Sequence, residues 1–229
     1  MLERHKTDFK LADVILGGQD GLVNVLGVVL GVAAAGANSR LVMAAGLAAT
    51  FAESVSMAAV AFTSKIAQAD FYQSELEKER LEIKEVPEAE KEEVRRIYKK
   101  RGFEGELLET VVTKIVSNKK VWLEVMLKEE LDLEEIDRKK ILASSILVGF
   151  SAVLGSLIPL STFALLPIDQ AIYFSLLVSA LSLMIVGAYK AKVTVGKPFK
   201  SGLQMAVIGV VSALSGYLIG FLFKVPAGF

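Results

Sequence analysis

Five stretches of the chain are apolar over about twenty residues or more, and this feature limits the possible folds more than any other. The stretches are 12–36, 41–65, 141–166, 170–190 and 202–223. A helix needs about 20 mostly apolar residues to cross the hydrocarbon core of a bilayer. Each stretch is therefore long enough for one crossing, and the sequence predicts an all-α membrane protein with five transmembrane helices.

Charged residues are concentrated between the second and third apolar stretches. Of the 26 acidic residues, 20 fall between Asp70 and Asp137, and of the 26 basic residues, 16 fall between Lys78 and Lys140. The formal net charge of zero hides this segregation. We predict three segments: 1–65 with transmembrane helices one and two, 66–140 as a cytoplasmic helical insert, and 141–229 with transmembrane helices three to five.

Lysine and arginine alternate from loop to loop, which predicts the orientation in the membrane. The first hairpin turn has only Arg40, the loop around Pro167 has neither residue type, and the C-terminal tail has only Lys224. The basic loops precede spans one and five and contain Arg4, Lys6, Lys10, Lys190, Lys192, Lys197 and Lys200. We therefore expect a cytoplasmic N-terminus and insert, with the C-terminus on the opposite side.

The chain lacks cysteine and has one histidine, His5. Disulfides, thiolate metal sites and iron–sulfur clusters are therefore excluded, and Ser-His or multi-His catalytic sites are disfavoured. We expect a protein that is not an enzyme and holds no prosthetic group.

The charged insert permits two interpretations. One is a solvated helical surface with ion pairs at i,i+4, such as Glu92 with Arg96 and Glu124 with Lys128. The other is a metal site, because some side chains three or four residues apart share a helix face. These pairs are Glu79 and Glu82, Glu90 and Glu93, and Met126 and Glu130.

A turn at Pro87 could bring the four paired glutamates together. Carboxylates held close repel each other unless a cation lies between them. Their hard oxygen atoms suit Mg(II), Mn(II) and Fe(II), and a thioether favours transition metals.

The second span contains a carboxylate, Glu53, and one helical turn later a methionine, Met57. A carboxylate at bilayer depth costs about 2.5–3.5 kcal/mol on insertion scales, so it usually faces a pathway or a partner. One interpretation is a transport pathway. The alternative is that Glu53 hydrogen-bonds a neighbouring Ser or Lys and only stabilises packing.

Several motifs resemble the vacuolar iron transporter family over nearly the whole chain. "DGLVNVLGVVLGVA" in span one resembles the family's opening signature, and "SMAA" at 56–59 resembles its span-two motif. "GSLIPL" at 155–160 and "GLQMAVIGVVSALSGYLIG" are similar to spans three and five. The family has five spans with a helical metal-binding insert between spans two and three.

The resemblance implies a homodimer in the lipid bilayer that exports Fe(II), often also Mn(II) or other divalent ions such as Zn(II) or Co(II), from the cytoplasm in exchange for protons. Nucleic acid is not an expected partner. The membrane would be the plasma membrane in a prokaryote and a vacuole-type membrane in a eukaryote. Asp20 matches the family's span-one aspartate and Met57 its span-two methionine. The insert's metal ligands fall on Glu79, Glu82, Glu90, Glu93, Met126 and Glu130.

One motif departs from the family pattern. In the family, the "SMA" motif and one small residue are followed by Gly-Glu, whereas Val60 and Ala61 occupy those positions here. Glu53 lies two turns earlier on the same face. We expect Asp20, Glu53 and Met57 to line the transmembrane pathway.

Two other functions remain open from the residues alone: a divalent-cation channel with the insert as a metal sensor, and a membrane-tethered metal-storage or oxidase module. The missing histidines weaken the second, because helical di-iron sites pair Glu with His.

Glycines four apart, Gly27 with Gly31 and Gly216 with Gly220, allow close helix packing. This packing could occur within the chain. We also consider span one, with Gly27 and Gly31, as a dimer seam.

Overall fold

The computed structural model describes residues 8–194 and 196–224. The basic N-terminal residues Arg4 and Lys6, together with His5, lie outside the described residues. Within the described ranges the structure is helical and has no β-strand. The helices are α1 (Asp8–Ala34), α2 (Ser39–Glu85), α3 (Pro87–Lys100), α4 (Gly105–Val116), α5 (Lys119–Val125), a π-helical turn (Met126–Glu130), α6 (Arg138–Leu165), α7 (Ile168–Val193) and α8 (Pro198–Leu222).

Five of these helices are long and apolar enough to cross a membrane: α1 over Leu11–Ala34, α2, α6, α7 and α8. The predicted number and order of the transmembrane helices are confirmed by the length and composition of these five helices. Helix α2 has 47 residues, which is more than twice the length that one crossing requires. Its apolar first half is the candidate span, and its charged second half, which includes Glu79, lies beyond that span.

The chain divides into two compact units. The bundle unit comprises Met1–Phe62 and Leu142–Phe229, and the insert unit comprises Thr63–Ile141. The cytoplasmic location of the insert unit stays a prediction.

The core of the bundle unit is built around α1. Five buried residues of α1 belong to one apolar cluster: Val25, Leu26, Val29, Leu30 and Ala33. The other buried members of that cluster come from α2, α6, α7 and α8, and they are Val42, Leu160, Phe163, Ala171 and Ala213. Helix α1 is therefore packed by the other four helices of the bundle.

Glycines set the distance between α1 and α8. A Cβ atom placed on Gly216 would lie 2.3 Å from the Gly27 carbonyl oxygen, and one on Gly220 would lie 1.8 Å from the Gly31 oxygen. Such an approach is possible only without side chains at these positions. Packing within the chain therefore accounts for both glycine pairs. The dimer seam along span one, with Gly27 and Gly31, stays a prediction.

In the insert unit, α2 ends at Glu85 and α3 begins at Pro87. Proline disfavours the helical conformation in the preceding residue, and Val86 is accordingly non-helical with φ −132° and ψ 52°. Proline is also well suited to the first helical position because its missing N–H would have no partner there. The chain therefore folds back at Val86, and the end of α2 and the start of α3 become neighbours.

Helix α3 ends in a Schellman motif, in which Gly102 adopts φ +90°. The Gly102 N–H donates to the Lys99 carbonyl and the Phe103 N–H donates to the Tyr98 carbonyl. The rings of Tyr98 and Phe103 meet edge to face, with centroids 5.7 Å apart, which supplies the apolar contact that usually accompanies this motif. The chain can therefore turn sharply into α4.

The core of the insert unit gathers buried side chains from α2, α3, α4, α5 and the π-helical turn. They are Ile83, Val94, Leu108, Val112, Ile115, Trp122 and Met126. Ile83 is thus a core residue of α2, and it directly follows Glu82 of the predicted metal site.

The last part of the insert unit does not continue as one regular α-helix. After α5, the residues Met126–Glu130 form a π-helical turn, in which the Leu131 N–H donates to the Met126 carbonyl at 3.2 Å. A π turn contains one more residue per hydrogen-bonded ring than an α turn. The adjacent residues Met126 and Leu127 are both buried there, with exposed fractions of 0% and 2%.

Candidate metal sites

The first candidate site lies in the bundle unit between α1 and α2. The carboxyl group of Glu53 on α2 lies close enough to the carboxyl group of Asp20 on α1 for the two to interact, and both side chains are half-buried. Two ionised carboxylates held close repel each other, and a proton or a cation between them relieves that repulsion. The pair is therefore suited to hold a proton or a cation.

The alternative role of Glu53 was a hydrogen bond to a neighbouring Ser or Lys that only stabilises packing. The nearby hydroxyls of α2 bond within their own helix: Thr50 donates to the Gly46 carbonyl and Ser54 donates to the Thr50 carbonyl. The polar groups that interact with the Glu53 carboxyl group, Asp20 and Asn24, lie on α1. The polar neighbours of Glu53 are thus on another helix, and its role in a pathway stays a prediction.

Asn24 is part of this site and was not predicted. It lies one turn after Asp20 on α1, and its side chain hydrogen-bonds the Glu53 carboxyl group. The sequence contained one signal, because Asp20 and Asn24 are four apart and hence share a helix face. An amide side chain in an apolar span also requires a hydrogen-bond partner, because an unpaired amide among apolar groups is unfavourable.

Met57 lies one turn after Glu53 on α2 and is half-buried. This placement follows from the helical spacing. The structure describes no hydrogen bond that joins Met57 to Asp20 or Glu53, so its role as a ligand stays a prediction.

The second candidate site lies in the insert unit, where α2 ends and α3 begins. Glu79, Glu82 and Glu90 each offer a carboxylate oxygen, and these oxygens lie within 4.8 Å of one another. Two of the three side chains are almost fully buried, with exposed fractions of 4% for Glu79 and 5% for Glu90. The turn at Val86 is what brings the two helices' glutamates together.

Burial perturbs these carboxyl groups strongly. Burial, and then the charge of Glu90, raises the pKa of Glu79 from 4.5 to about 7. Burial, and then the charge of Glu93, raises the pKa of Glu90 from 4.5 to about 7. Both shifts follow from removing a carboxylate from water and placing like charges beside it.

Each of these two buried side chains also has one oxygen without a hydrogen-bond partner in the described part of the chain, Oε2 in both cases. Buried polar atoms are usually satisfied. Unpartnered buried oxygens that face other carboxylates are suitable ligands for a divalent cation, which would supply the missing positive charge.

Glu93 and Glu130 extend the acidic cluster. Glu93 on α3 is half-buried, Glu130 at the end of the π-helical turn is exposed, and the two carboxyl groups lie close enough to interact. Burial raises the pKa of Glu130, the charge of Glu93 raises it further, and the charge of Arg96 opposes this shift. A cavity of about 330 Å³ borders these groups and is lined by Glu93, Arg96, Ile97, Lys100, Arg101, Glu129 and Glu130.

Met126 is completely buried in the apolar core of the insert unit. It lies at the start of the π-helical turn that ends at Glu130, and π turns occur frequently at functional sites. Met126 therefore packs in the core of the insert unit. Its role as a soft metal ligand stays a prediction.

The two sites together define a class of protein: a helical protein with five candidate membrane spans, a pair of neighbouring carboxyl groups within the bundle and a buried carboxylate cluster suited to divalent cations. The VIT family model matches residues 11–221, and the chain belongs to this family. The resemblance identified from its motifs is thereby confirmed.

Relatives from plants and a protozoan cover nearly the whole chain. The chain is 34% identical over 223 residues to "Vacuolar iron transporter 1" of Eucalyptus grandis, which covers 95% of this chain and 90% of the relative. It is 35% identical over 217 residues to "Vacuolar iron transporter 2" of Oryza sativa subsp. japonica, with 94% and 88% covered. It is 30% identical over 233 residues to the "Vacuolar iron transporter" of Plasmodium falciparum (isolate 3D7), with 97% and 85% covered.

Proposed function

We propose that the protein exports Fe(II), with Mn(II) as a second substrate, from the cytoplasm across a membrane in exchange for protons. The names of the relatives support iron as the cargo. The observation that carries the proposal is the close approach of the carboxyl groups of Asp20 and Glu53 on two neighbouring helices of the bundle.

The chemistry of exchange follows from that carboxyl pair. A carboxylate binds a metal ion only in its deprotonated form, so metal binding releases protons. Two carboxylates neutralise the charge of one divalent ion, whereas the same pair with one proton carries a single negative charge. An arriving Fe(II) ion therefore displaces the shared proton, and reprotonation of the pair releases the ion.

Two uncharged side chains complete the transmembrane site in this proposal. The Met57 sulfur atom is a soft ligand and favours transition metals over Mg(II) and Ca(II). The Asn24 amide group holds the Glu53 carboxyl in place across the gap between α1 and α2. Neither side chain adds charge, so the balance between one divalent ion and two carboxylates is kept.

The insert supplies a second site, which collects cytoplasmic ions before they enter the bundle. Its proposed ligands are Glu79, Glu82, Glu90, Glu93, Met126 and Glu130. The unpartnered buried oxygens of Glu79 and Glu90 support this site. The donor set of oxygens with one sulfur also suits Zn(II) and Co(II).

We further propose a homodimer with its insert in the cytoplasm and its C-terminus on the opposite side of the membrane. The alternation of basic loops supports this orientation. The membrane is of the vacuole type in a eukaryote and the plasma membrane in a prokaryote.

The test is uptake of Fe(II) or Mn(II) into proteoliposomes with an acidic lumen. Accumulation of the metal against its own gradient, abolished by a protonophore, is the expected result. Asp20→Asn should abolish uptake, while an exposed carboxylate outside both sites, Glu77→Gln, should leave it unchanged. Metal entry that never exceeds equilibrium, whatever the pH gradient, would contradict exchange and favour the channel alternative.

A further inference from the structure

Arg96 lies at the edge of the acidic cluster in the insert unit. Its Nη2 atom is 3.0 Å from Oε1 of Glu93, one turn earlier on α3. Its positive charge also acts on Glu130, whose carboxyl group lies near that of Glu93. The Arg96 side chain is 62% exposed, so the guanidinium group can leave this position without passing through packed atoms.

We propose that Arg96 is a tethered competitor of the metal ion in the insert: its guanidinium neutralises Glu93 beside Glu130 when no ion is bound and is displaced when a divalent cation binds. This inference rests on the proposed metal site of the insert. It goes further by assigning a function to a residue that cannot itself be a ligand.

The competition follows from the chemistry of the two cations. A guanidinium group has five N–H donors and no acceptor, so it cannot coordinate a metal. A divalent ion bound by the Glu93 carboxylate would therefore be repelled by a guanidinium still paired with that carboxylate. The metal and Arg96 exclude each other at Glu93, and each lowers the apparent affinity of the other.

Two neighbouring arginines of the insert do not have this relationship. Arg95, the adjacent residue, pairs with Glu109 on α4, with Nε to Oε1 at 2.7 Å and Nη2 to Oε2 at 2.9 Å. Arg101 pairs with Glu129 and lies 5.8 Å from the centroid of the Tyr98 ring. Both arginines are thus engaged with groups outside the predicted ligand set.

A tethered competitor suits a site that must give up its ion. Six acidic and thioether ligands around one divalent ion would otherwise bind it tightly and release it slowly. Because Arg96 remains within reach, it can reoccupy Glu93 as soon as one ligand dissociates. The structure thus contains a built-in means of faster release toward the next site.

The experiment compares Mn(II) binding by the full-length protein with that of Arg96→Gln, Arg96→Lys and Arg95→Gln. The part of binding that is lost in a Glu79→Ala, Glu90→Ala double variant defines the insert site. Removing an exposed ion-pair partner typically changes an interaction by a fraction of a kcal/mol, and the lost repulsion adds to this. We therefore expect Arg96→Gln to raise Mn(II) affinity by roughly five- to tenfold, mainly through slower release to a chelator in stopped-flow measurements.

Arg95→Gln removes the same charge at the next position and should change the affinity by less than about twofold, since exposed pairs contribute little. Arg96→Lys keeps the charge and should stay close to the wild type. Unchanged or weaker Mn(II) binding in Arg96→Gln would overturn the competitor while leaving the metal site intact. If the double variant lost no Mn(II) binding, the insert site and the competitor would both be overturned.

Discussion

Replacing Glu79 by Gln should have opposite effects on the stability of the insert and on its metal binding. The Glu79 carboxyl group is almost fully buried, with an exposed fraction of 4%. Its pKa is about 7 in the folded protein against an ordinary value of 4.5. A pKa difference of one unit between the folded and unfolded states corresponds to roughly 1.4 kcal/mol. Ionising Glu79 therefore costs the folded insert about 3 kcal/mol.

The sign and pH window follow from this raised pKa. Below about pH 4.5 the carboxyl group is protonated in both the folded and the unfolded states, and it contributes no penalty. As the pH rises toward 7, the unfolded chain loses its proton first, so the folded state becomes relatively less stable. Above about pH 7 the full penalty is present. The Gln side chain has nearly the same shape and no charge, so it removes the penalty.

We therefore expect Glu79→Gln, in the absence of divalent ions, to raise the free energy of unfolding at pH 8 by about 2–3 kcal/mol. At pH 4.5 it should have almost no effect. With saturating Mn(II) the order should reverse, because ligand binding stabilises the folded wild type and the variant has lost a ligand.

The assay is urea unfolding of the full-length protein in detergent, followed by fluorescence of Trp122. This residue is the only tryptophan in the chain and belongs to the core of the insert unit. Glu77→Gln, an exposed position on the same helix, is the matched control and should be neutral at both pH values. Equal destabilisation by Glu79→Gln at pH 4.5 and pH 8 would refute the electrostatic reasoning and indicate a packing role.

Four further predictions concern the bundle unit. Glu53→Gln should reduce uptake and its pH dependence, whereas Met57→Leu should preserve transport but weaken discrimination against Mg(II); competition uptake assays separate the two effects. Asn24→Val should slow uptake at equal protein stability, because the Glu53 carboxyl group loses a hydrogen bond between helices; an unchanged initial rate would argue against its part in the site. Gly220→Ala should destabilise the bundle by about 1–3 kcal/mol through overpacking against α1, measured by thermal unfolding. The control Gly18→Ala adds a methyl group at an ordinary contact distance of 3.6 Å.

The transmembrane helices could be predicted because hydropathy and length are properties of single segments. The continuation of α2 to Glu85 could also be predicted from the sequence, since no helix-breaking residue occurs between the span and Pro87. The face shared by Glu79 and Glu82 followed from helical periodicity alone. The turn at Pro87 then limited which helix could approach that face.

The partners across helices could not be predicted, because periodicity defines a face but not what packs against it. The sequence did not reveal that Gly27 lies against α8. It also did not reveal which of many arginines pairs with Glu93, since Glu92 and Glu93 each have an arginine three residues later. Asn24 was missed because one amide in a span gives a weaker signal than a carboxylate.

The π-helical turn at Met126–Glu130 means that the insert site depends on the number of residues as well as on their identity. Deleting one residue from this turn would allow a regular α-helix, in which each position is rotated by about 100° relative to its neighbour. Glu130 would then point away from Glu93, although every proposed ligand would still be present in the chain. A sequence alignment that places a one-residue gap between positions 126 and 130 would therefore mark a relative whose insert differs in geometry, even where all six ligand types are conserved.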